Sequence, residues 1–446
     1  MRLALLLWLV SFGLLAAPWQ SDVPEVKEAQ LAPWYWVNRL KAPDQRLMTP
    51  KEITAFNARQ FKTLPEMVEL ETVPALMAAD EVKGQITALA KEPPRFYANG
   101  RALGPADWAR YRANLNLGAI KGPQKVAFAL VVRRTVLRTY PTFERVFNKG
   151  LNLDLDRFQE SGLFPGDALA LLAKSRDGHW YFAQSQNYRA WVPAADLAIG
   201  SRQAVLGYGK ATPFLVTTGS QVETVFNPEE PRVSKLRLDM GLRLPLVPST
   251  HNLYGQNPYA GFVVRLPVRN GDGSLDFKAA LIPRSQDVHQ GYLPLTQANL
   301  VRQSFKFLGE RYGWGHDYQG RDCTGFVGEV YRSFGLVMPR NSGEQGHGRY
   351  GHDHPFGKGQ VAAKLKVLAT APVGSLIYLP GHVAMLLGKV DGKPWVIHDV
   401  AGLAYLKGGQ FYRGTLNGVS VTPLEPLLLG PNTSYLDATY NIKTLP

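Results

Sequence analysis

A chain of 446 residues is too long for one ordinary hydrophobic core and suits about two to four domains. With 45% hydrophobic and 19% charged residues, it is neither a disordered nor a collagen-like chain. The net charge of +14 favours polyanionic surroundings, yet Lys and Arg are scattered, with no basic run and no nucleic-acid motif, so no nucleic-acid partner is implied.

Met1-Arg2, an apolar run from Leu3 to Leu15 and then Ala16-Ala17 have the layout of a secretory signal, read here as residues 1–17 of an exported, periplasmic or extracellular protein. The run is shorter than the ~18 residues a membrane span needs, and no later stretch is long and apolar enough, so no stable span is expected. For an exported basic chain, the acidic polymers of a cell wall rank ahead of nucleic acid. The single cysteine cannot form an internal disulfide. It is either an inert buried thiol or a thiol with a task, and its flanks decide which.

Residues 18–124 read as a mainly helical segment that packs on something else. Thr49-Pro50-Lys51-Glu52 is a helix start, followed by Ile53, Phe56 and Phe61. From Val126 the period shortens. Residues 125–203 read as one small β-barrel with a hairpin turn at Asp177-Gly178, and residues 204–293 as a second with a turn at Asn270-Gly271-Asp272-Gly273. The endings "YRAWVPAADL" and "QGYLPLTQANL" suggest two copies of one unit. Residues 294–446 run α then β. A helix is expected from Thr296 to Tyr312 and another from Cys323 to about Phe334. Strands follow at "SLIYLP", "HVAMLLGKV", "PWVIHDV" and "VSVTPLE".

The segment "ERYGWGHDYQGRDCTGFVGEVYRSF" leads a Gly-rich loop into Asp322-Cys323, after which Phe326, Val327, Val330, Tyr331 and Phe334 recur at helical spacing. Cys323 is therefore expected at a helix N-terminus with Asp322 as N-cap. The helix's positive end favours the thiolate, and its free N–H groups suit an oxyanion. Gly325 would let another backbone approach. A thiol nucleophile needs a base and an orienter for it. His382 and His398 lie on consecutive strands joined by a turn at Asp391-Gly392, so both can face one end of the sheet.

In order, "YGWG", "DCTGFV", "PR", "GSLIYLPGHVAMLL" and "WVIH" resemble the NlpC/P60 cysteine peptidases. The longer layout resembles the subgroup with a helical N-terminal segment and two SH3-like barrels before the peptidase. The resemblance implies a multidomain α+β protein with a papain-like catalytic domain over 294–446. It implies cleavage of the γ-D-glutamyl to diamino-acid bond in peptidoglycan stem peptides, without a cofactor or metal. By position, Cys323 would be the nucleophile, His382 the base and His398 its orienter, and Tyr312 would place a hydroxyl near the oxyanion. Asp322 and Thr324, with Tyr188 from the first barrel, would bind the substrate's free amine, giving a preference for a free N-terminal L-Ala. Two positions depart from the pattern: Thr324 stands where Ser is usual, and His316 where a second Gly is common, narrowing or charging the entrance. His347, His352 and His354 crowd one loop, but their spacing fits no standard metal site. The competing readings are a non-catalytic wall-binding scaffold and an amidase or transpeptidase with the same nucleophile.

Overall fold

The computed structural model describes residues 19–248 and 251–445, so the signal segment expected at 1–17 lies outside the described residues. The N-terminal segment contributes α1 (Pro33–Val37), α2 (Pro50–Thr63), α3 (Ala79–Leu89) and α4 (Pro105–Asn114). α2 starts where its sequence signal lies. The Glu52 carboxylate accepts the Thr49 N–H at 2.7 Å, Thr49 Oγ1 accepts the Glu52 N–H at 3.3 Å, and Pro50 occupies the first turn.

Among the described residues this segment forms no core of its own. Trp36, Met48, Ile53, Phe56, Leu64 and Met67 enter the core of the C-terminal domain. Leu70, Val82, Ile86, Trp108 and Tyr111 instead enter that of the first β unit. Trp36 is fully buried, 5.9 Å from the Trp395 ring, and its indole N–H donates to the Gln30 carbonyl at 2.8 Å. The strand Arg46–Met48 pairs with Leu295–Thr296 at the doorstep of the C-terminal domain.

The first β unit is a seven-stranded antiparallel sheet. Its spatial order is 197–200, 127–131, 168–174, 180–184, 189–193, 135–138, 159–163. Gly178, at φ +76°, turns the hairpin expected at Asp177-Gly178. After the linker helix α5 (Arg202–Tyr208), the second β unit is divided among three small sheets rather than running as one. The longest is the hairpin Gly261–Arg269 with Leu275–Pro283, which turns at Asn270–Gly273 as expected. Leu215, Leu238, Leu244, Val264 and Ile282 form this unit's core.

The C-terminal domain holds α6 (Gln297–Phe305), α7 (Cys323–Arg332), α8 (Ser342–His347), α9 (Val361–Thr370) and α10 (Tyr435–Ala438). Its six-stranded antiparallel sheet has the order 352–355, 441–444, 376–379, 382–390, 393–407, 410–423. The helix expected over 296–312 stops at Phe305. Gly309 takes φ +82°, and Arg311 and Tyr312 leave the helix to bridge Gly418 and Arg321. Asp391 and Gly392 both have positive φ, +50° and +80°, the twist that suits a tight hairpin. Val383, Met385, Leu387, Trp395 and Ile397 pack in the core shared with α7, whereas Ala384, Leu386 and Val396 belong to the core on the other face.

A buried ionic cluster ties the units together. The Arg321 guanidinium is wholly buried and meets Glu329 at 3.0 Å, Asp239 at 3.3 Å, and Glu310. Asp239 comes from the second β unit and also receives Arg134 of the first and, at 3.2 Å, Arg237. An ion buried this deeply is tolerable only when its partners are all in place.

Candidate active site

The loop Gly313–Gly320 approaches α7 in an unusual conformation. Gly315, His316, Tyr318 and Gln319 all have φ between +52° and +68°, which costs a non-glycine residue about 1 kcal/mol or more. Contacts hold it there. The Gly315 N–H donates to Asp322 Oδ2 at 3.0 Å, and the His316 ring is buried. His316 therefore lies beneath the start of α7 rather than at an entrance, with Nε2 3.3 Å from Glu329 and Nδ1 accepting the Gly162 N–H at 3.3 Å. Burial keeps this imidazole below its ordinary pKa. It is also what Gly325 accommodates: a Cβ there would lie 2.7 Å from His316 Nε2, so the close neighbour is a side chain, not the backbone that was expected.

Asp322 caps α7 as expected, its Oδ1 accepting the Gly325 N–H at 2.9 Å. Arg340 grips the same carboxylate, with Nη2 donating to Oδ2 at 2.7 Å and Nη1 to Oδ1 at 3.2 Å. Burial alone would raise this group, but Arg340 holds it well below the usual carboxylate range. Thr324 Oγ1 donates to Asp322 Oδ1 at 3.0 Å and accepts from Arg340 at 2.6 Å. Both groups assigned from sequence to the substrate's amine are thus engaged within the protein. Across from them, the Tyr188 hydroxyl donates to Glu160 Oε2 at 2.5 Å. Sequence reasoning missed Glu160, and it missed Arg340, although that residue stood in the "PR" motif.

Cys323 opens α7 and is only 7% exposed. Burial pushes its thiol up to about 12, the Asp322 charge adds to this, and the backbone N–H of Val383 and Arg340 offset part of it. Burial drives the His382 imidazole the other way, to about 4. The two shifts oppose an ion pair between the two side chains. Desolvation thus opposes the thiolate expected from the helix N-terminus, and both shifts favour the neutral forms.

His382 opens the strand that continues with Val383, and its Nε2 lies 3.0 Å from Nδ1 of His398. His398 Nε2 in turn lies 3.1 Å from Thr422 Oγ1. The register explains the contact. Met385 pairs with Ile397, which sets His398 opposite Ala384 and makes His382 its diagonal neighbour on the same face. Tyr435 of α10 packs beside both histidines. Its ring is 6.0 Å from that of His382 and 6.2 Å from that of His398, and its hydroxyl, raised to about 12 by burial, also feels the Cys323 charge. No local pattern near Tyr435 pointed to this role.

Tyr312 is 8% exposed, and its hydroxyl makes no hydrogen bond among the described residues. Burial, then the charges of Cys323 and Asp322, push this phenol far above its ordinary range, which places it in the same electrostatic neighbourhood. Asp399 follows His398 and points to the opposite face. It is wholly buried, neither carboxyl oxygen has a hydrogen-bond partner among the described residues, and burial with the nearby Asp322 charge raises it well above the usual carboxylate value. A cavity of about 590 Å³ lies on the far side of α7, lined by Thr324, Gly325, Arg332 and Arg340 but by neither Cys323 nor His382. His347 stacks on Tyr440 at 4.5 Å, and no cluster of three or more metal-ligating side chains exists among the described residues.

Comparison with known proteins agrees with this geometry. Residues 309–422 match the NlpC/P60 family, and residues 141–193 match the SH3 domain of SH3b1 type. The C-terminal unit is a cysteine-peptidase domain of the NlpC/P60 family, with an SH3-like domain adjacent to it. A gamma-D-glutamyl-L-lysine dipeptidyl-peptidase from Bacillus cereus is 29% identical over 169 residues, which cover 36% of this chain and 44% of that enzyme. The chain thus spans less than half the length of that curated relative. An NlpC/P60 endopeptidase from Photobacterium damselae subsp. piscicida has a similar fold, with a TM-score of 0.74 at 15% identity, covering 92% of this chain and 96% of that one.

Proposed function

We propose that the protein is an exported hydrolase of peptidoglycan stem peptides that cuts the γ-D-glutamyl to diamino-acid bond through Cys323. The observation that carries this reading is the His382–His398–Thr422 chain, which begins one residue before the N–H that reaches the Cys323 thiol. With His398 Nε2–H donating to Thr422, Nδ1 of His398 accepts the proton of His382 Nε2. This leaves His382 Nδ1 as the basic nitrogen. His382 takes the Cys323 proton as sulfur adds to the γ-carbonyl. The N–H groups of the first turn of α7 and the Tyr312 hydroxyl hold the oxyanion. The C–N bond then breaks, and His382 returns the proton to the departing amine. Water, deprotonated by the same imidazole, releases the acyl group and restores the thiol.

The second β unit, though split among three small sheets, is read as a divergent second SH3-like domain flanking the cleft. The Tyr188–Glu160 pair supplies a hydroxyl and a negative charge to a substrate ammonium. A buried amine without such partners is costly, so the site favours a free N-terminal L-Ala. The relative named as a dipeptidyl-peptidase supports the same preference. The test compares initial rates on L-Ala-γ-D-Glu-diamino-acid peptides with free and acetylated amines. The free peptide should be cut at least 10-fold faster, and equal rates would mean an open cleft.

A further inference from the structure

His316 departs from the family pattern, and three elements are shaped around its buried ring. A Cβ at Gly162 of the SH3-like domain would lie 2.7 Å from His316 Cβ, and one at Gly325 of α7 would lie 2.7 Å from Nε2, so a glycine on each side leaves room for the imidazole. Phe164 closes the socket edge-on, its ring 5.5 Å away. The polar contacts are directional. Nδ1 faces two donors, the Gly162 N–H at 3.3 Å and Arg340 Nη2 at 3.3 Å. Nε2 faces Glu329 Oε1 at 3.3 Å, an oxygen that meets no other donor among the described residues. A lone pair is therefore needed on Nδ1, and the proton belongs on Nε2. The backbone is held as well: at φ +68° the His316 carbonyl accepts from Arg134 at 3.1 Å, and the Gly315 carbonyl accepts from Gln159 Nε2 at 2.7 Å.

The charged groups around the ring are Glu329 of α7, Asp322 at its cap, Arg340 beyond it, and Arg321, which lies 3.0 Å from Glu329. Arg134, paired with Asp239 of the second β unit, donates to the His316 carbonyl. A proton on Nδ1 would set an N–H against both the Gly162 N–H and the Arg340 guanidinium. Arg340 is the partner that neutralises the Asp322 cap, one position before Cys323. Resting on the hydrolase reading above, we propose that His316 is a positioning residue for the reaction: as a neutral Nε2–H imidazole it holds Arg340 on Asp322 and the SH3-like domain against the start of α7, and protonation at Nδ1 releases both. It acts through Arg340 and Asp322 on the setting of Cys323. Burial keeps the imidazole below its ordinary pKa, so the neutral form prevails at neutral pH and the release belongs to acid conditions.

The experiment uses the full chain as wild type, His316→Asn and His316→Gly. Asn tolerates the positive φ and offers a non-titrating amide oxygen near the place of Nδ1, whereas Gly keeps the backbone and removes the ring. In nuclear magnetic resonance spectra of protein with isotope-labelled histidine at neutral pH, the signals missing from His316→Asn should be those of an Nε2–H imidazole. An Nδ1–H tautomer or an imidazolium overturns the assignment whatever the activity. On L-Ala-γ-D-Glu-diamino-acid peptide, His316→Gly should lower kcat/KM on the order of 10–100-fold, the loss expected when a hydrogen bond to a charged group is removed, and His316→Asn should recover most of it. As pH falls below the ordinary histidine value, the wild type should lose rate faster than His316→Asn, since groups the two proteins share cancel in the ratio. Equal rates for wild type and His316→Gly, a His316→Asn variant no better than His316→Gly, or a ratio of wild type to His316→Asn that ignores pH overturns the positioning role and leaves the hydrolase reading intact. Absence of cleavage by the wild type overturns both.

Discussion

Burial acts on the two reacting side chains in opposite directions, lifting the Cys323 thiol to about 12 and lowering the His382 imidazole to about 4. Both shifts disfavour a thiolate–imidazolium pair in the free protein. Iodoacetamide alkylation of the free enzyme should inflect well above the ~8.5 of an ordinary thiol; an inflection at or below that value would contradict a neutral resting pair. Asp399 gives a second test. Its folded-state pKa is raised, so the stability associated with its protonated form is complete below the ordinary Asp value and is lost as pH rises towards the raised one. Within that window the loss is about 1.4 kcal/mol per pH unit. Asp399→Asn lacks this loss, so its Tm should gain on that of the wild type as pH rises above the ordinary Asp value, and a constant difference would refute the assignment. The helix-start position of Cys323 and the pairing of His382 with His398 were legible in the order of residues and strands. Thr422, Tyr435 and Asp399 were not readable, since their roles depend on register and on which face of the sheet meets α7.

The start of α7 shows how an element is specified at both ends of its contacts. Its beginning was legible from Asp322 and the apolar spacing after Cys323. Its counter-ion was not, because Arg340 arrives from beyond the helix and reverses the meaning of Asp322, from free charge to neutralised cap. The thiolate expected from the helix N-terminus failed for a related reason: sequence shows the dipole but not the desolvation that opposes it. The packing behind α7 is equally tight. A Cβ at Gly325 would meet His316 at 2.7 Å, and His316 also fills the space beside Gly162. Gly325→Ala should cost about 1–3 kcal/mol and displace the loop that carries Tyr312. Thermal melts and turnover measured together check this: unchanged Tm and rate would show that the loop yields freely.

At the scale of the molecule, hairpin turns and strand alternation placed the β-rich regions correctly, including the turns at Asp177-Gly178 and Asp391-Gly392. The division of the N-terminal segment between two cores was hidden, because helical periodicity shows that a face is buried but not against what. Trp36 makes the point, completing the catalytic core from far along the chain. Trp36→Ala should therefore destabilise the peptidase domain by about 3–5 kcal/mol, read as a lower midpoint in denaturant. An unchanged midpoint would mean that the segment is an appendage. The Arg321–Asp239 cluster ties the second β unit to the same domain, so the cleft is shaped by the assembled chain. The central claim, hydrolysis of a γ-D-glutamyl bond by Cys323, is tested most directly by mass spectrometry of L-Ala-γ-D-Glu-diamino-acid peptide incubated with wild-type protein and with Cys323→Ala. The account predicts L-Ala-D-Glu and free diamino acid from the wild type and intact peptide from the variant. Intact peptide from both, or the same products from both, would contradict it.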